Sequence, residues 1–278
     1  MINTILVPID FSEHSEYALH TAAILAKKYS AKIVALHMMG ISEAVLNKSN
    51  SQGALEGIFH VKLAEKQFED FLNKEYLKDI NLQTTVINHT HFDEIDGVAK
   101  DFDANLIIMG SHGSSGVKEV FVGSNTEKVV RTSEIPVLVV KQPVHDFKMR
   151  KVVFACDFNL DFIEPFKKAW GFFKKIDVDM QIVYVNMPDQ FLSTQEMKSK
   201  AFKFFVHAGI NDVEGHHNVI YYNDYKLENG IFNFSKAFYA DLVVIPTHGR
   251  SGLSHFFSEN IGESLVNHGS MPMMTFKV

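Results

Sequence analysis

One cysteine, Cys156, stands in the sequence, and it lies inside an apolar stretch. Neither a disulfide framework nor a cysteine-held zinc is therefore available. No apolar run approaches the roughly eighteen residues that a membrane-spanning helix needs. Met1 leads straight into the strand-like Ile2–Ile9, without the basic region, apolar core and cleavage site of a secretory leader. Basic side chains form no long run: 27 Lys and Arg stand against 33 Asp and Glu, a formal charge of -6 that argues against nucleic acid as the main partner. A soluble, cytoplasmic protein without membrane contact is expected.

Catalytic and metal-binding patterns are also scarce. There is no G-x-S-x-G elbow of a hydrolase. Fourteen histidines are present, but His112 and His248 stand singly, His216 and His217 are adjacent in a polar stretch, and no H-x3-H has a third ligand nearby. Asp93, Glu94 and Asp96 read as the acidic first turn of a helix rather than as an acid–base group. No catalytic residue and no protein-held metal are assigned.

What the chain does have is size, apolar content and one informative loop. Its 278 residues, 46% of them hydrophobic, suffice for two domains with a core each. Leu106-Ile-Ile-Met109 is an unbroken apolar run, the mark of a strand buried on both faces. It delivers the chain to a loop carrying Gly110, Gly113, Gly116 and Gly123, then to Ser124 with Glu127 three residues on, the S-x-x-E start of a helix. At such a helix start backbone N–H groups converge on an anion, and missing Cβ atoms let a phosphate come close. The spacing is neither a Walker A loop nor the dinucleotide G-x-G-x-x-G. The plainer alternative is a β-to-α loop whose glycines only make tight turns, with Asp10 and Ser124 as helix caps and Lys118 solvated.

Taken in order, Thr4–Ile9 reads as the first strand, and Ser12 caps a helix with Ala18, Ala22, Leu25 and Ala26 on its apolar stripe. Lys32–Met38 is the second strand. A polar segment around Asn47–Gly53 reads as a loop, followed by a helix over about Ile58–Leu77. A third strand near Thr84–Ile87, a helix opened by Asp93–Asp96, the strand before the glycine loop, the helix after it and a fifth strand Ile135–Val140 complete the unit. This alternation predicts a doubly wound parallel sheet.

The pattern then repeats. Lys151–Phe158 matches Thr4–Phe11, with Asp157 over Asp10; Gln181–Asn186 matches Lys32–His37; Asp241–Gly252 matches Asn105–Gly116 without a gap. Asp10 to Asp157 is a shift of 147 and Gly113 to Gly249 a shift of 136, so the second copy is 11 residues shorter between first strand and glycine loop. The loss is expected after the second strand, where the first copy has Asn47–Gly53 as a lid over the carboxyl ends of the strands. In the second copy Pro246, Glu259 and Asn260 replace Gly110, Gly123 and Ser124. A carboxylate there repels phosphate, so the first copy is expected to be the competent one.

Gly110-x2-Gly113-x9-Gly123-Ser124 resembles the ATP-binding signature of the universal stress protein family, G-x2-G-x9-G-[ST]. Val7-Pro-Ile-Asp-Phe-Ser12, Leu36-His37 and the closing Ile135–Val140 strand strengthen the resemblance, which covers the chain once per copy. It implies two tandem, doubly wound, five-stranded α/β domains, Rossmann-like and similar to the adenine nucleotide alpha hydrolases: residues 1–142, a linker 143–150, and 151–278. It also implies a site for ATP or a related adenine nucleotide at Pro8, Asp10, Phe11, Ser12, His37, Met38, Met109, Gly110, Gly113, Gly123, Ser124 and Asn125, with Mg2+ or Mn2+ arriving on the phosphates. The first turn lacks the H-x-G-H expected of adenylyl-transferring proteins of this architecture. The family pairs domains through the fifth strand, so an intramolecular pseudo-dimer is implied, with further association into a homodimer. A stress-linked nucleotide sensor is the leading reading; a nucleotide-free scaffold and a slow ATPase are its alternatives.

Overall fold

The computed structural model describes residues 2–39, 51–87, 94–111, 124–210, 218–247 and 271–277. The chain divides into two compact units, Ile2–Phe147 and Lys148–Val278.

The first unit runs β1 (Thr4–Pro8), α1 (Glu13–Tyr29), β2 (Lys32–Met38), α2 (Ser51–Leu72), a 3-10 turn at Glu75–Leu77, β3 (Leu82–Ile87), α3 (Ile95–Asp101), β4 (Leu106–Gly110), α4 (Ser124–Thr132) and β5 (Val137–Val140). Its sheet has the order β3-β2-β1-β4-β5, and every pair is parallel. Every residue of β1, β4 and β5 is buried, which is why these strands read as continuous apolar runs. α1 starts where Ser12 Oγ accepts from Ser15 N at 3.3 Å and ends at Ser30 in the left-handed region. Its buried face is built largely of Ala18, Ala22, Ala23 and Ala26, small enough for the helix to lie close on β1 and β4. α2 is already helical at Ser51, earlier than the sequence pattern suggests, and stops at Leu72 before the separate 3-10 turn.

The second unit repeats the plan with β6 (Val152–Ala155), a 3-10 turn at Leu160–Phe162, α5 (Ile163–Lys175), β7 (Met180–Asn186), α6 (Thr194–Ala208), β8 (Val219–Asn223), α7 (Leu227–Phe238), β9 (Leu242–Thr247) and β10 (Met273–Lys277). The order is β8-β7-β6-β9-β10, again parallel throughout. A capping box between Ser193 and Glu196 opens α6, and Gly209 at φ +69 closes it.

Strand register corrects one expectation. Pro8 pairs with Leu36 and Ala155 with Val183, so the shift of 147 that relates the first strands also relates the second ones. Tyr184, not Asn186, therefore takes the place of His37. From His37 to its β3 partner Val86 is 49 residues, and from Tyr184 to Tyr221 is 37, so the second copy is shorter by 12 between its second and third strands. The expected position of the deletion holds. The Asn47–Asn50 part of the expected lid lies outside the described residues, whereas Ser51–Gly53 belong to α2.

Candidate functional site

The carboxyl ends of β1 and β4 part company. These strands pair at Ile5 with Leu106 and Leu6 with Ile107, whereas β1 stays on β2 as far as Pro8 with Leu36 and β4 stays on β5 as far as Gly110 with Val140. From β1 the chain winds toward β2 and β3, and from β4 toward β5, so the gap is the topological switch point at which doubly wound sheets bind ligands. Ile9 N donates to Leu36 O at 2.7 Å, which turns the nitrogen of Pro8 toward the gap, where proline leaves no donor stranded.

The turn after β1 is built around Asp10. Its Oδ1 accepts from Ser12 N at 3.0 Å and Ser12 Oγ at 2.5 Å, and Phe11 between them adopts φ +62, an uncommon conformation for a bulky residue. The Phe11 ring packs on His37, Phe68 and Phe71, with centroids at 4.7, 5.2 and 5.6 Å, and so ties the turn to α2. His37 adds a second tie, its Nδ1 lying 2.8 Å from Ile9 O.

Across the gap, Gly110 ends β4. A Cβ there would lie 2.6 Å from the carbonyl oxygen of His14 and 2.8 Å from its Cβ, so glycine is what lets the first turn of α1 rest on the strand. Thr126 Oγ1, buried, donates to Gly110 O at 2.8 Å and fastens the first turn of α4 to the end of β4. The first N–H groups of a helix have no partner within it, which makes that turn suited to an anion. Ser111 N donates to Val140 O at 3.0 Å, and Lys141 follows directly; burial pulls its ammonium down to about 7.

The structure thus brings Pro8, Asp10, Ser12, Met109 and Gly110 to the two sides of one gap. Thr126 carries the start of α4, with Ser124 and the exposed Asn125, to the same end. His37 and Met38 end the neighbouring β2. Gly113, Gly123 and Lys118 lie outside the described residues. The sequence reading missed Thr126, Ser111 and the side-chain role of His37, because each acts through a main-chain group distant in sequence. Among the described residues no three His, Cys, Asp or Glu side chains are gathered to hold a metal, and no helix is long and apolar enough to cross a membrane.

The second unit differs at the same place. Phe158, the counterpart of Phe11 at φ +57, is buried against Tyr184, Phe204 and Phe205 with centroids at 5.8, 5.6 and 5.8 Å. Its N–H donates to Cys156 Sγ at 3.3 Å, and burial drives that thiol far above its ordinary range, so the lone cysteine is inert. Pro246 stands in β9 where the first unit has Gly110.

Residues 1–141 match the model of the Universal stress protein family. A universal stress protein of Bacillus subtilis is 35% identical over 150 residues, 51% of this chain and all of that protein. One from Methanocaldococcus jannaschii is 32% identical over 159 residues, 51% of this chain and 96% of its own. A universal stress protein of Synechocystis aligns over 302 residues at 24% identity, covering 99% of this chain and all of that one. The crystal structure of a universal stress protein from Archaeoglobus fulgidus matches the fold with a TM-score of 0.59 at 19% identity, over 99% of this chain and 96% of that one.

Proposed function

The chain belongs to the universal stress protein family, and on that premise we propose that its first unit binds ATP or a related adenine nucleotide and serves as a stress-response sensor or regulator. The observation that carries this reading is the parting of β1 and β4, with Pro8 and Asp10 on one side and Gly110 and the tethered start of α4 on the other. The phosphates would meet the N–H groups of the glycine loop and α4, and Asp10 and its turn would border the nucleoside. Mg2+ or Mn2+ would come with the nucleotide, held chiefly by its phosphates. The domain limits 1–142 and 151–278, joined by 143–150, belong to the same proposal.

The second unit is assigned a structural role. Pro246 stands where the first unit has Gly110, and its loop carries Glu259 where the first has Gly123. Copying that substitution tests the phosphate site: Gly123→Glu should abolish ATP binding measured by calorimetry on the full chain. Undiminished affinity would falsify the assignment.

A further inference from the structure

Two helices of the second unit, α5 and α6, carry a charge at odds with the rest of the chain. The right-handed crossovers from β6 to β7 and from β7 to β8 put them on one face of the sheet, where they pack against each other. Between them they hold seven lysines, six of them exposed, against two glutamates. Glu164 is paired with Lys167 at 3.2 Å, and Glu196 is engaged in the Ser193 capping box. The counterparts in the first unit, α1 and α2, hold four lysines against six carboxylates. A chain of formal charge -6 thus presents a basic face in the unit whose glycine loop is degenerate.

That face is apolar at its crest. Met197, Ala201, Phe204, Phe205 and Ala208 form the buried stripe of α6, which turns Phe202 and Val206, one turn apart, away from the core at 48% and 56% exposure. Lys198 stands one turn before Phe202 and Lys203 directly after it, so cations flank the apolar pair. All seven cations on the two helices are lysines and none is arginine. Protein interfaces favour arginine and are poor in lysine, and arginine is the residue that forks onto the phosphates of nucleic acids. Lysines beside an apolar pair suit a surface that is anionic outside and apolar just beneath, which is the headgroup layer of an acidic bilayer.

We propose that the α5–α6 face of the second unit docks on anionic lipid surfaces, with Phe202 and Val206 entering the headgroup layer and the lysines meeting its phosphates. Among the described residues no helix is long and apolar enough to cross a membrane, and lying on one needs none. The expectation of no membrane contact, which rested on the lack of a spanning run, gives way to peripheral contact.

The test sediments the full chain with vesicles of phosphatidylcholine alone and of phosphatidylcholine with a third phosphatidylglycerol. Binding should appear with the acidic vesicles only and weaken as salt is raised. Lys198→Glu combined with Lys203→Glu should lower the affinity about thirtyfold or more. Phe202→Ser combined with Val206→Ser should lower it several-fold. α2 also exposes Phe59 and Leu63, but on a helix with more carboxylates than lysines, so Phe59→Ser combined with Leu63→Ser should leave binding unchanged. Circular dichroism checks the fold of each variant; should a serine variant lose it, the lysine variant decides. Equal binding to both kinds of vesicle, no binding to the acidic ones, or undiminished binding by the lysine variant overturns the proposal. An equal loss in the α2 and α6 serine variants, or tighter binding to duplex DNA than to acidic vesicles, overturns it as well, the last by giving the face to nucleic acid.

Discussion

At the scale of single residues, the glycine at the end of β4 is explained by packing as much as by phosphate. The space beside Gly110 is taken by backbone atoms of His14, which cannot swing away as a side chain can. Gly110→Ala should therefore force α1 away from the strand and cost about 1–3 kcal/mol by thermal or urea unfolding. A change under about 0.5 kcal/mol, the size of an ordinary surface substitution, contradicts that packing account. Lys141 gives a pH signature. Its ammonium titrates near 10.4 in an unfolded chain and at about 7 in the folded one. Between those values the unfolded chain binds more protons, so stability should rise with pH across the window. Lys141→Met should reduce the rise in melting temperature between pH 7 and pH 9.5. An identical rise in wild type and variant shows that the burial of Lys141 is not felt.

At the scale of elements, much of the parallel sheet was readable because strands buried on both faces leave unbroken apolar runs such as Leu106–Met109. Register was harder to read. Side chains in a strand repeat every two residues, so sliding Gln181–Asn186 by two keeps each side chain on its own face, and the apolar pattern of β7 gives no warning. The Phe11–His37 and Phe158–Tyr184 ring pairs show where it belongs. Asp96 was read only as an acidic first-turn residue. In the structure its Oδ1 accepts from Ser133 Oγ at 2.8 Å and from the N–H groups of Glu134 at 2.7 Å and Ile135 at 3.4 Å, while Oδ2 meets Lys100 at 2.8 Å. It clamps the turn between α4 and β5. Burial alone would push this carboxyl up, but the bonds from Lys100, Ser133 and the two N–H groups outweigh it and hold it below the usual carboxylate range. A depressed carboxyl stabilises above the unfolded value near 3.9 and loses that contribution as pH falls through the folded one. Asp96→Ala should thus cost about 2 kcal/mol at pH 7 and progressively less toward pH 3 in urea unfolding. A cost independent of pH would assign the loss to packing instead.

At the scale of the whole molecule, the chain is one α/β unit used twice with the switch point treated differently. The first unit keeps a glycine at the end of β4, a threonine tether to α4 and a histidine beside the Asp10 turn. The second has proline in the place of that glycine, tyrosine in the place of the histidine, and a buried Phe158 where the first has the half-buried Phe11. Repeat, architecture and the first-strand turn were legible in the sequence; the ties between these elements were not, since they run through main-chain groups that no motif records. With the switch point altered in the second unit, the molecule is predicted to hold a single competent nucleotide site. The measurement that tests it is the number of nucleotides per chain, from native mass spectrometry of the purified protein and from calorimetric titration of the stripped protein with ATP and Mg2+. One per chain is predicted. Two would mean that the second unit tolerates Glu259 and Pro246, and none at millimolar ATP would contradict the nucleotide site altogether.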